Sequence, residues 1–195
     1  MVLLVSLESD NESTGGTAME TSSGRRAFAG AVLTGVCAVG VMFAPPALAA
    51  SPKAKLVNTQ TGLCLTIAGG ESTDNNVHAL QFTCDSHPSR QWFLDDMGNG
   101  TVQIRNVQTN KCLTIAGGVS RENNVPALQF TCDDHPSRSW VLDDQGDGTT
   151  QIRNVQTQKC VTIAGGVSHD NNVEAVQFDC DDHPSRTWRI VYQGG

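Results

Sequence analysis

No C-x-x-C pair occurs in the 195 residues, no basic stripe gathers on any segment, and no stretch sustains a helical period. Each absence removes a class. Without closely spaced cysteine pairs, a structural zinc site is not expected. Residues 50–195 carry 11 basic and 16 acidic side chains, a net −5, so nucleic acid is not an expected partner. Without helical periodicity, the chain reads as short strands and turns. The acidic pairs Asp95-Asp96 and Asp143-Asp144 lack the spacing and closing glutamate of a calcium loop. No metal and no cofactor is expected.

The one mildly apolar run, Ala27 to Ala44, is interrupted by Gly30, Gly35 and Gly40 and is barely long enough to span a bilayer. Arg25-Arg26 precede it, Pro45-Pro46 follow, and Ala47-Leu48-Ala49 offers a small-x-small cleavage pattern. Residues 1–49 therefore read as an N-terminal extension plus signal peptide, cut between Ala49 and Ala50. The mature form is expected to be bacterial, extracellular and free of the membrane. Gly24-Arg-Arg-Ala-Phe28 resembles a twin-arginine signal, whereas three disulfides suit export of an unfolded chain, so both routes stand. Residues 1–18 hold Glu8, Asp10 and Glu12 but no basic residue, the wrong charge for a signal start, and translation is expected to begin at Met19.

What fills residues 50–195 is repetition. The stretch Cys112 to Trp140 recurs as Cys64 to Trp92 and as Cys160 to Trp188, with a period of 48 residues. Positions 101–140 and 149–188 share 31 identities over 40 residues, so any function must be available three times. The repeats run over about 54–100, 101–148 and 149–193. Cys37 lies in the export segment, and the other six cysteines form three equivalent pairs with 19 residues between partners. Of the 15 pairings open to six cysteines, repeat symmetry selects Cys64–Cys84, Cys112–Cys132 and Cys160–Cys180. Each bridge is worth roughly 3 kcal/mol in the chain-entropy model.

In the second repeat the strands fall at about 102–107, 112–116, 127–132 and 139–142, giving about twelve in all. Asn99-Gly100 and Asp147-Gly148 turn one repeat into the next. A solenoid needs atypical caps and a propeller at least four blades. Three equal, uncapped repeats predict an all-β domain closed around a pseudo-threefold axis, with a monomer expected.

The repeated C-L-x-[IV], the Gly/Asn loop, the aromatic-x-Cys and the polar-x-Trp ending resemble the ricin B-chain-like lectin domain. The resemblance covers about Ala54 to Tyr192. It implies a β-trefoil that binds sugars in shallow pockets, up to one per repeat, with Trp92, Trp140 and Trp188 in the core. Its motifs are altered in all three copies. Arg90, Arg138 and Arg186 replace the glutamine of Gln-x-Trp. Thr66, Thr114 and Thr162 replace the sugar-gripping aspartate, and Ser89, Ser137 and Ser185 replace a sugar-contacting asparagine. Phe82, Phe130 and Phe178 match the stacking aromatic. These nine threonines, serines and phenylalanines are the expected carbohydrate-binding residues.

If Cys64 and Cys84 face each other on antiparallel strands, Thr66 opposes Phe82 and Leu65 and Ile67 turn to the core. A one-residue shift would make Phe82 core instead, and both roles stand. Asn76, Asn124 and Asn172 likewise have two readings, as left-handed turn residues or as loop contacts to a sugar. Asp85, His87 and Ser89 resemble a hydrolase triad in composition only; alternate residues of one Pro-stiffened loop are not expected to assemble one. Asp85 is expected to pair with Arg90, leaving His87 exposed. The chain is thus predicted to be a non-enzymatic sugar binder with a glycan or polysaccharide partner. Its rival is a trefoil that has lost sugar binding and serves as a protein-interaction or inhibitor module.

Overall fold

The computed structural model describes residues 51–194; the expected export segment and the Met19 start lie outside them. Twelve strands form, four per repeat. The first repeat holds β1 (Lys53–Asn58), β2 (Cys64–Ile67), β3 (Val77–Phe82) and β4 (Trp92–Asp96). The second holds β5 (Val102–Asn106), β6 (Cys112–Ile115), β7 (Ala127–Phe130) and β8 (Ser139–Asp144). The third holds β9 (Thr150–Asn154), β10 (Cys160–Ile163), β11 (Ala175–Phe178) and β12 (Thr187–Tyr192).

The outer strands of each repeat close a six-stranded barrel. β1 pairs β4, β4 pairs β5, β5 pairs β8, β8 pairs β9, β9 pairs β12, and β12 returns to β1, all antiparallel. The three inner hairpins, β2–β3, β6–β7 and β10–β11, complete the trefoil, and β3 pairs β7 directly. Closure leaves the barrel without an edge strand, which removes a template for aggregation. It also explains why no capping repeat is needed.

The core follows the strand period. Leu65, Ile67, Leu113, Ile115, Val161 and Ile163 turn inward with Ile104 and Ile152. Trp92, Trp140 and Trp188 have no exposed surface, and each indole Nε1 donates to the carbonyl of Leu65, Leu113 or Val161 at 3.0 Å. Those hydrogen bonds satisfy the one polar atom that burial would otherwise strand. The disulfides are Cys64–Cys84, Cys112–Cys132 and Cys160–Cys180, one within each repeat. They suit an oxidising, extracellular setting.

Register differs from expectation. Cys64 opposes Phe82, not Cys84, and Thr66 opposes Leu80. The disulfide ties the strand to a residue beyond the end of β3, so the register sits two residues from where facing cysteines would put it. A shift of two preserves the face. Thr66, Leu80 and Phe82 therefore still share one side.

Gln81, Gln129 and Gln177 hold the repeats together. All three have no exposed surface. Gln129 Nε2 donates to the carbonyls of Ser72 and Asp74 at 2.7 Å each, Gln177 to those of Ser120 and Glu122, and Gln81 to those of Ser168 and Asp170. The backbone seconds this, with Asn76 N donating to Gln129 O, Asn124 N to Gln177 O and Asn172 N to Gln81 O. Each repeat's Gly/Asn loop is thus docked on a different repeat.

On the barrel exterior, Arg105 donates to both carboxylate oxygens of Asp95, at 2.6 and 3.0 Å, and lies over the Phe93 ring. Burial pushes the Asp95 pKa up, but hydrogen bonds from Arg105 and Ser51 and the Arg105 charge outweigh it, leaving the group below its ordinary value. A carboxylate depressed by folding stabilises the fold above its unfolded pKa, near 4, and that contribution is lost as pH falls through the folded value. Asp95→Asn should therefore cost about 1 kcal/mol at pH 6 and less at pH 2. Melting curves at the two pH values check this; an equal loss at both would contradict it.

Candidate functional site

The threefold arrangement produces three equivalent clefts. The one in the first repeat, about 250 Å³, is lined by Thr66, Gly70, Leu80, Phe82, His87, Arg90 and Asn172. In the second, also about 250 Å³, Thr114, Gly118, Phe130, His135, Arg138 and Asn76 take those places. In the third, about 200 Å³, they are Thr162, Gly166, Phe178, His183, Arg186 and Asn124. Each is smaller than the roughly 300–1,000 Å³ pockets that enclose drug-sized ligands.

The floor and wall come from one loop, His-Pro-Ser-Arg. Proline fixes φ at the first position of a short 3₁₀ turn, Pro88–Arg90, and His87 caps it by accepting from Ser89 N through Nδ1. Asp85 Oδ1 in turn accepts from His87 N at 2.9 Å. The same bonds recur at His135 and His183. Gly118 faces this loop with φ +74°, and a Cβ there would lie 3.1 Å from Ser137 Oγ, so only glycine fits without displacement.

Ser89, expected at the sugar surface, has no exposed surface instead. Its carbonyl accepts from Thr66 Oγ1 and Asn106 Nδ2, and its hydroxyl meets Thr66 Oγ1, Arg90 Nη1 and His87 Nδ1. Ser137 and Ser185 are held alike. Replacing asparagine by the shorter serine draws this position behind the cleft wall. The threonine hydroxyls are spent on the same serines. These six residues position the site more than they present it.

Phe82, Phe130 and Phe178 are neither sealed core nor bare platforms. Each is half-buried, and the guanidinium of Arg90, Arg138 or Arg186 lies 4.4, 4.4 or 4.3 Å from its ring centroid. Such a stack contributes about 0.5–2 kcal/mol depending on desolvation. The arginine that departs from Gln-x-Trp thus braces the aromatic. Its expected ion pair with Asp85 is present at 3.5 Å, and those of Arg138 with Asp133 and Arg186 with Asp181 at 3.2 Å.

Asn76, Asn124 and Asn172 adopt the left-handed turn conformation, the first of their two readings. Their φ angles are 66°, 65° and 67°, the left-handed region that asparagine tolerates. They also line clefts, but each lines one in another repeat, because the glutamine clamps carry the loops across the boundary. That exchange was not foreseen. His87 was expected to be exposed; it is half-buried and lines the cleft, while His135 and His183 are exposed at their rims. The signal was present in the thrice-repeated His-Pro-Ser-Arg, where proline pins the neighbouring side chains.

A histidine and a serine do touch, at 2.9 Å between His87 Nδ1 and Ser89 Oγ. The contact lacks the rest of a triad. Ser89 is sealed, its oxygen accepts from two other donors, and Asp85 bonds the His87 backbone instead of its ring.

The family model described as ricin-type beta-trefoil lectin domain-like matches residues 48–130, 116–175 and 136–195. Among solved structures, the chain is similar to the designed threefold-symmetric protein ThreeFoil at 22% identity and TM-score 0.68, covering 71% of this chain and 97% of that one. It is similar to the Rhizoctonia solani agglutinin at 17% identity and TM-score 0.65, covering 77% and 100%. An exo-beta-1,3-galactanase from Clostridium thermocellum matches at 27% identity and TM-score 0.69, covering 73% of this chain but 30% of the enzyme. No curated protein matches.

Proposed function

Since the chain belongs to the ricin-type β-trefoil lectin domain-like family, we propose that it is a secreted, non-enzymatic carbohydrate-binding protein with up to three weak, equivalent sites. The observation that carries this reading is the threefold cleft of half-buried phenylalanine, free histidine nitrogen, arginine and asparagine. A pyranose ring has an apolar face for the aromatic and hydroxyls for the polar rim. Small, open clefts bind weakly one at a time and gain strength through simultaneous engagement of a polysaccharide or glycan surface.

The working form is residues 50–195 after loss of the leader, acting as a monomer. Catalysis is not part of this reading, because no cleft pairs an accessible nucleophile with a base. The rival is a trefoil that serves as a protein-interaction or inhibitor module. A multivalent glycan array probed with the purified protein separates the two. Binding to a restricted set of glycans is expected; no binding even in multivalent format would favour the rival.

A further inference from the structure

We propose that each cleft recognises an anionic group on the saccharide, a carboxylate or a sulfate, through the arginine Nη2 and the histidine Nε2, and that the second-repeat cleft does so most strongly. This rests on the saccharide reading above and specifies its ligand class.

The protons decide it. In the second repeat, His135 Nδ1 accepts from Ser137 N, and the Ser137 hydroxyl, which already accepts from Thr114 Oγ1, turns its own proton to the same nitrogen at 2.8 Å. Nδ1 is therefore an acceptor, and the neutral ring carries its proton on Nε2, which has no partner among the described residues. Arg138 gives Nη1 to Ser137 Oγ and Asp133, and its Nε is sealed without a hydrogen-bond partner. Nη2 has no partner among the described residues and is not among the sealed atoms, so it is the part of the guanidinium open to solvent. The histidine bonds and the Nη1–serine contact recur at His87 with Arg90 and at His183 with Arg186, where Nε instead of Nη1 lies nearest the aspartate and Nη2 is again left over.

Acceptors are scarce. No carboxylate lines any of the three clefts. The position that the sequence resemblance assigns to an aspartate holds a threonine whose hydroxyl is already given to serine. Of the free polar side-chain groups, only the asparagine amide oxygen accepts. A neutral sugar must place hydroxyl protons as well as oxygens, whereas an anionic group only accepts, and charge-assisted hydrogen bonds are roughly twice as strong as neutral ones. Asp133 pairs with Arg138 Nη1 at 3.2 Å and does not line the cleft.

The copies differ at the rim. Glu71 follows Gly70 in the first repeat, where Val119 and Val167 stand in the others. Asp179 follows Phe178 in the third repeat, where the others have Thr83 and Thr131, and it is close enough to Arg186 for the charges to interact. Asn123 and Lys159 also hold Asp179, keeping its carboxyl below the usual range. Only the second cleft has neither added acid.

Isothermal titration of the purified protein with a hexuronate oligosaccharide, its carboxyl-reduced counterpart and a sulfated neutral oligosaccharide tests the proposal. The reduced sugar should bind at least tenfold more weakly than whichever acidic form binds best, and comparison of the two acidic forms identifies carboxylate or sulfate as the group read. Val119 is 62% exposed, so Val119→Glu spares the fold; it should weaken the acidic ligand several-fold and leave the neutral one unchanged. Equal affinity for acidic and reduced sugars overturns the proposal while leaving saccharide binding intact. No effect of Val119→Glu overturns the ranking of the second cleft. Binding of none of the three, with no array binding either, overturns both readings together.

Discussion

Replacing Trp140 by alanine is expected to destabilise the protein by about 4 kcal/mol and to lower its melting temperature by roughly 10 °C. Trp140 has no exposed surface and sits where β8 meets both neighbours, opposite Val102 on β5 and Asn154 on β9. Removing the indole opens a cavity at the barrel wall. It also leaves the Leu113 carbonyl without the Nε1 donor that satisfies it. Trp140→Phe keeps most of the volume but loses the donor, and should fall between the two. Calorimetry under oxidising conditions, with the disulfides intact, makes the comparison. A loss below about 1 kcal/mol for the alanine variant would mean that the core does not rest on the tryptophans.

The second large effect concerns binding. Changing Phe82, Phe130 and Phe178 together to leucine should abolish glycan binding, at least a hundredfold on the multivalent surface, with the fold retained. The rings are half-buried under arginine, so an aliphatic residue fills the buried portion while removing the π-face that a pyranose or guanidinium can stack on. The alanine triple would add the loss of that packing, roughly 1–2 kcal/mol per site, and separates the two roles by degree. Circular dichroism reads the fold and the array reads the ligand. Leucine variants that bind as well as the parent would remove the rings from the site; leucine variants that unfold would make them core.

Much of the fold was legible because it is local and repeated. The cysteine pairing, the inward leucines and isoleucines, the tryptophans and the twelve strands all follow from a period of 48 residues. What could not be read lies between repeats. The role of Gln81 exists only because the Ser168 and Asp170 carbonyls of another repeat arrive above it. For the same reason nothing local shows that Asn76 lines the cleft of the second repeat. The register missed by two because a disulfide was taken to join opposed residues, when Cys84 lies past the strand end. The serine was misplaced for a simpler reason. A side chain one atom shorter than asparagine's amide stops behind the wall, where Thr66 Oγ1 and Arg90 Nη1 donate to its hydroxyl oxygen.

On the proposed reading, each site is a saccharide cleft completed by an asparagine from another repeat. With Phe82→Leu and Phe178→Leu silencing the first and third clefts, a single site remains around Phe130. Adding Asn76→Gly, which keeps the left-handed backbone and removes the amide, should weaken titration of the best array ligand at least fivefold. Adding Asn124→Gly in the same background should change nothing, although Asn124 belongs to the same repeat as Phe130. The reverse result, loss with Asn124→Gly and none with Asn76→Gly, would rule out this exchange of loops between sites.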